Sequence, residues 1–184
     1  MALSGVIRKP KPGLSELGGL TRFFCYEVDQ FTADTEHPTR ASIVAGELAS
    51  LGLLVAPAQS AARIVFDVKE SEWKSTGNAS NTQFSFLHGA MGKVAGYHKE
   101  KNASVDSYMG KDLVCVAQRP NGDRVVLGTT FKPMRIKVSS GTGKAADDYV
   151  GSDIEFFQTD AVDFEPPLLA AAVVITSVAI PAYA

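Results

Sequence analysis

Gly141-Thr142-Gly143-Lys144 is the stretch of this 184-residue chain that comes nearest to a phosphate-binding loop. Such a loop cradles phosphate on backbone N–H groups. It needs a glycine five residues ahead of its second glycine, and Ser or Thr after the lysine. Those positions hold Val138 and Ala145, so the stretch reads as a polar turn between strands. His37, His88 and His98 have no carboxylate or cysteine at metal-ligand spacing, and neither metal nor cofactor is expected. The chain has no HExxH, CxxC or GxSxG stretch, which lowers the expectation of catalysis without removing it. Asp147-Asp148 reads as a pair of solvated acids in a Gly-bounded loop. Cys25 and Cys115 sit in apolar runs and read as two reduced core thiols, with a single disulfide as the alternative.

The distribution of charge says more than any motif. After residue 145 every charged side chain is acidic: Asp147, Asp148, Asp153, Glu155, Asp160, Asp163 and Glu165. Basic residues gather elsewhere, with Arg8, Lys9 and Lys11 near the start and Lys132, Arg135 and Lys137 just ahead of the acidic tract. One reading is a set of solvated faces. The sharper one is head-to-tail assembly, in which a basic surface of one copy meets an acidic surface of the next. On that reading the assembly interface contains Arg8, Lys9, Lys11, Lys132, Arg135, Lys137, Asp147, Asp148, Asp153 and Glu155. Trp73, in a charged stretch after a strand, suits either a core or an interface.

These residues must be carried by a scaffold whose composition is that of an ordinary globular domain, 45% hydrophobic and 21% charged. A formal charge of −2 gives no global field that would hold nucleic acid. The N-terminus has no apolar stretch of the secretory kind, so Asn78-Ala79-Ser80 and Asn102-Ala103-Ser104 are read as loop chemistry. Residues 1–20, mixing Gly, Pro, Lys and Ser, read as an extended arm. Residues 21–167 read as one domain. Within it, residues 22–31 read as a strand, and Val44, Leu48, Leu51 and Val55 at helical spacing predict a helix near 40–52. Alternation of period two predicts strands from Arg63 to Val68 and over 83–87, separated by a Gly/Asn/Ser loop at 75–82. Residues 88–112 stay ambiguous, with Val94 and Tyr97 able to start a helix.

The strongest local signal is Asn121-Gly122 between the β-branched runs 113–118 and 123–128, a hairpin cue. Strands at 134–138 and 152–157 complete a meander. The apolar run 168–180 is too short to span a membrane, is bracketed by Pro166-Pro167 and Pro181, and is rich in β-branched residues. It reads as a strand, buried or in contact with another subunit, and no membrane partner is expected. The fold class is therefore mainly β: a single-domain sandwich or barrel with one flanking helix, an N-terminal arm and a C-terminal apolar strand in 168–184.

In order along the chain, Phe84-Ser85-Phe86, the Gly-rich middle, 113–118, Asn121-Gly122, Leu127-Gly128, the 134–138 strand, Ser140-Gly141-Thr142-Gly143, Asp153-Ile154-Glu155-Phe156 and Pro166-Pro167 resemble the major tail-tube proteins of tailed bacteriophages and the related tube proteins of contractile injection systems. The resemblance spans residues 63–167. It implies a structural virion protein, made in the host cytoplasm and placed in the tail, with no catalytic residues. Subunits of this kind form rings, commonly hexameric, that stack into a hollow tube contacting other tail proteins and passing DNA non-specifically. The arm and long loops would bridge neighbouring rings. Residues 38–62 fit the pattern loosely, and the apolar tail after Pro167 lies outside it. Another virion component (a capsid-decorating or tail-terminator protein) and a β-sandwich binding module or enzyme are the competing readings.

Overall fold

The computed structural model describes residues 19–31, 34–52, 61–79, 84–95, 99–141 and 151–179. The expected arm therefore lies outside the described residues except for Gly19 and Leu20. Leu20 is fully buried. Its N–H donates to Ser71 Oγ at 2.9 Å, and that hydroxyl donates back to the Leu20 carbonyl at 3.1 Å.

The fold is mainly β, built around one strand with no polar face. Leu113–Gln118 (β7) carries Leu, Val, Cys, Val and Ala in succession, and all five are fully buried. A continuous apolar run of this length suits a strand covered on both sides. Arg22–Glu27 (β1) pairs with β7 along one edge, from Arg22↔Gln118 to Glu27↔Leu113. Arg124–Leu127 (β8) pairs along the other through the Asn121-Gly122 hairpin. In that turn Gly122 has φ 93°, the left-handed backbone glycine adopts freely, and the Asn121 side chain accepts from the Asp123 N–H at 3.1 Å. Ala61–Ile64 (β4) pairs with the far edge of β1.

Alternate residues of this layer face opposite ways, and each set finds its own cover. Phe23, Cys25, Leu113, Cys115, Ala117, Val125 and Leu127 pack with Ala90, Val94, Ile136, Ile154 and Phe156 of a second layer. The Phe23 and Phe156 rings lie 4.3 Å apart across the sandwich. Phe24, Tyr26, Val114, Val116 and Val126 pack with Phe31, Leu48, Leu51 and Leu169 on the other side. Cys25 and Cys115 stand directly opposite one another as buried free thiols, and burial pushes the Cys115 thiol well up.

The second layer is an antiparallel meander of Met134–Gly141 (β9), Gly151–Gln158 (β10), Phe84–Ala95 (β6) and Ser71–Ala79 (β5), in that spatial order. It joins the first layer through the single pair Leu113↔Met134. Trp73 is half-buried against the shared core, which favours its core reading.

Several local expectations are corrected. The helix near 40–52 does not form. Arg40–Ser42 makes a single 3-10 turn capped by Thr39, after which Ile43–Val44 (β2) and Glu47–Leu48 (β3) pair as a hairpin. Ala45 (φ 53°) and Gly46 (φ 84°) turn the chain in the left-handed region, so Gly46 acts as a turn residue. Leu48 and Leu51 are buried under the first layer, while Val44 is exposed. The helix is instead Lys99–Asp106 (α1), anchored by buried Val105. The first strand stops at Glu27 and gives way to a 3-10 turn over Val28–Gln30. The strand expected from Arg63 to Val68 ends at Ile64, and another 3-10 turn covers Val68–Glu70. The loop expected at 75–82 is strand through Ala79. The run 168–180 is broken: Leu168–Leu169 (β11) pairs with β3 and β8, and Ser177–Ala179 (β12) pairs with β4. Arg124 ties the intervening turn by donating to the Ala170 and Val173 carbonyls, each at 2.6 Å.

Two outcomes test this packing. A Cβ on Gly92 would come within 2.5 Å of the Phe66 ring, so Gly92→Ala should cost about 1–3 kcal/mol in urea unfolding. The cost should shrink when Phe66→Leu is present in the same chain. A chain ending at Pro167 loses Leu169, both strand pairings and the Arg124 bonds. Its unfolding free energy should fall by about 3 kcal/mol or more.

Candidate assembly surface

The solvent face of the second layer holds Arg135, Lys137, Asp153 and Glu155, four of the five described residues of the expected assembly interface. Cross-strand register sets them in rows. Lys137 lies beside Glu155, which lies beside Met91, which lies beside Glu72; one row along, Ser139, Asp153 and Lys93 are neighbours. Lys137 Nζ is 3.9 Å from Glu155 Oε2, Arg135 Nε donates to Asp112 Oδ1 at 2.9 Å, and Lys93 Nζ is 3.2 Å from Glu70 Oε2. The basic and acidic tracts of the sequence thus become adjacent strands of one copy, and their charges interleave on one face. Separate basic and acidic surfaces do not arise from β9 and β10. Such exposed pairs contribute little to stability, roughly 0–1 kcal/mol each, and stay open to exchange partners.

Lys132 lies off this face, in the turn between β8 and β9. Its N–H donates to Thr129 Oγ1 at 2.9 Å, and its carbonyl accepts from Gln158 Nε2 at 2.7 Å. Arg8, Lys9, Lys11, Asp147 and Asp148 lie outside the described residues.

The sheet itself carries the more telling feature. Among the described residues β5 pairs only with β6, and β9 beyond Met134 pairs only with β10. Both outer edges of the layer therefore present backbone N–H and C=O groups that no described strand takes up. Edges of this kind are templates for pairing with another chain. Glu72 and Lys74, exposed on β5, are the charged side chains that keep such an edge from pairing indiscriminately.

At one end of the sandwich is a buried polar cluster that sequence reasoning missed. His88 sits on β6, its ring almost wholly buried. Its Nδ1 accepts from the Gly128 N–H at 3.1 Å, so Nε2 carries the proton and donates to the Phe164 carbonyl at 3.2 Å. The His88 N–H donates to Gln158 Oε1 at 3.1 Å. One side chain thus joins β6 to the turn after β8 and to the segment before Pro166. Burial pushes the His88 pKa down to about 4, outweighing the bond to the Phe164 carbonyl, which acts the other way. The sequence signal was faint: His88 continues, on the inward face, the alternation that residues 83–87 begin.

Beside this cluster runs an open groove of about 440 Å³, lined by Arg40, Phe84, Ser85, Lys132, Val162 and Asp163 among others. Phe84 is 65% exposed, and Arg40 is held by Asp163, whose carbonyl accepts from Nη1 at 3.2 Å. Among the described residues no helix is long and apolar enough to cross a membrane. No protein-family model, curated protein or solved structure matches the chain.

The His88 geometry sets a pH dependence. An unfolded histidine takes a proton near 6.5, whereas the buried one resists until about 4. The unfolded state therefore binds more protons across that window. The stability that neutral His88 contributes is complete above about pH 6.5 and is lost as pH falls towards 4, by about 3 kcal/mol. Urea titrations across this range should show that slope in the native chain and a flatter one in His88→Gln.

Proposed function

We propose that the protein is a structural subunit that assembles with copies of itself into rings, and that the rings stack into a tube of the kind that forms phage tails. The observation that carries this reading is the four-stranded second layer, whose two outer edges, apart from Met134, pair with no other strand among the described residues. Its strands alternate in direction from β9 through β10 and β6 to β5, so β9 and β5 run antiparallel. A β5 edge meeting the β9 edge of a neighbour continues the antiparallel alternation without a fault. Repeated around an axis, that contact is heterologous and closes into a ring.

Scale is consistent with a conduit. Six copies would contribute 24 strands, and at about 4.8 Å per strand these trace a circle roughly 37 Å across between backbones. The charged face described above would line such a ring. Three of its cations, Arg135, Lys137 and Lys93, already have carboxylates beside them. Cations neutralised in this way grip phosphates weakly, which suits passage of DNA over retention. The virion-tail setting and the hexameric number come from the resemblance to tail-tube proteins.

Negative-stain images of the purified protein at low and moderate salt should show rings and stacked tubes. Isolated rings alone would favour a tail-terminator or capsid-decorating role. A strictly monomeric protein at every concentration would end the assembly reading.

A further inference from the structure

The cover over the Phe24 side of the first layer is incomplete at the Asn121-Gly122 end. A cavity of about 520 Å³ opens there, backed by buried Phe24 and Leu169 and walled by Val173, Val174 and Ile175. Small-molecule sites commonly span about 300–1,000 Å³ and set a few convergent polar groups among apolar walls. Strand register supplies such groups here. Arg22 pairs with Gln118, and Gln118 with Arg124. The three side chains therefore stand in one row across β1, β7 and β8, on the face that carries Phe24, Val116 and Val126. All three line the cavity.

The row is short of negative charge. Arg22 is exposed and has no carboxylate partner among the described residues. Arg124 donates to the Ala170 and Val173 carbonyls, which orient its guanidinium without cancelling its charge. Arg63, opposite Phe24 on the same face, adds a third guanidinium, whose Nε is shut off from water and meets no acceptor among the described residues. Two acids also line the cavity. Asp123 is held in its own turn, by Arg119 at 4.0 Å and by the Asn121 amide at 2.6 Å. That leaves Glu47, exposed on β3, as the one acid facing the arginines without a cation of its own. A guanidinium fork matches the two oxygens of a carboxylate, and such charge-assisted bonds are about twice as strong as neutral ones. Val174 is 86% exposed, an aliphatic side chain that a ligand's apolar body would take out of water.

We infer that this cavity binds a small organic carboxylate with an aliphatic body. Arg22, Gln118 and Arg124 hold the carboxylate, and the body lies along Val173, Val174 and Ile175. The site goes beyond the assembly reading and does not rest on it, since β5 and β9 contribute no residue to the cavity.

The test uses the full-length protein and saturation-transfer difference NMR, which reads the ligand and so serves monomer and assembly alike. Hexanoate is the probe. Hexanamide, which lacks the charge, and acetate, which lacks the body, are the controls. Hexanoate should give a saturable signal, and each control should bind at least about tenfold more weakly. Arg22→Gln should weaken hexanoate binding by about tenfold or more. Glu47→Gln should tighten it by about twofold or more, because a like charge is removed, and a gain of that sign cannot come from damage to the fold. Circular dichroism and the thermal midpoint check that both variants are folded. No saturable hexanoate signal, a control that binds as tightly as hexanoate, or either variant failing to shift affinity in its stated direction overturns the site.

Discussion

The structure depends on β7 being buried on both faces. A strand with no polar side cannot end a sandwich, so material must cover each face of the layer that contains it. The meander β9-β10-β6-β5 covers one. The other is covered by segments that look unrelated in sequence: Phe31, the β2–β3 hairpin, Leu51 and the chain around Leu169. Burying apolar area on both sides at about 25 cal/mol per Å² gives the domain its main driving force. It also explains why the apolar C-terminal run belongs to the subunit's own sheet. β11 and β12 each pair with a strand of the layer that contains β7, and Arg124 fastens the turn between them.

Using the second layer as a lid has a consequence for its outer surface. Its inner face is committed to Phe23 and the core, and its outer face is left to solvent with interleaved charges. Because β9 pairs with the first layer through Met134 alone, the rest of that edge has no described strand beside it. β5 ends the opposite side. The meander therefore behaves as a strip with two matching borders, and the distribution of apolar residues that stabilises the monomer leaves those borders, apart from Met134, without a partner strand among the described residues. Assembly through them requires no rearrangement of the core.

The readable parts of the sequence were those whose local chemistry and tertiary role agree. Asn121-Gly122 makes its turn whatever surrounds it, and the alternation in β9 and β10 survives because one face is buried and the other wet. Residues 40–52 misled because Val44, Leu48 and Leu51 mimic helical spacing, while the turn at Ala45-Gly46 and the cover that Leu48 provides over β7 decide the outcome. The polarity of residues 75–79 suggested a loop; they are polar because they form an exposed edge strand. At the surface, the charge types on β9 and β10 were legible but their arrangement was not. Antiparallel pairing folds a basic tract back on an acidic one, so segregation along the chain becomes mixture in space. His88 left almost no trace, since its partners, the Gly128 N–H, the Phe164 carbonyl and the Gln158 side chain, come from distant segments.

The central claim is that sister molecules complete the borders of the second layer. Hydrogen exchange resolved to single residues, compared between dilute monomer and concentrated assembly, addresses it directly. The account predicts that alternate amides within Ser71–Ala79 and within the β9 residues after Met134 slow markedly on assembly, while β7 amides, already protected, do not change. Oligomers in which the β5 and β9 amides exchange as fast as in the monomer would contradict it.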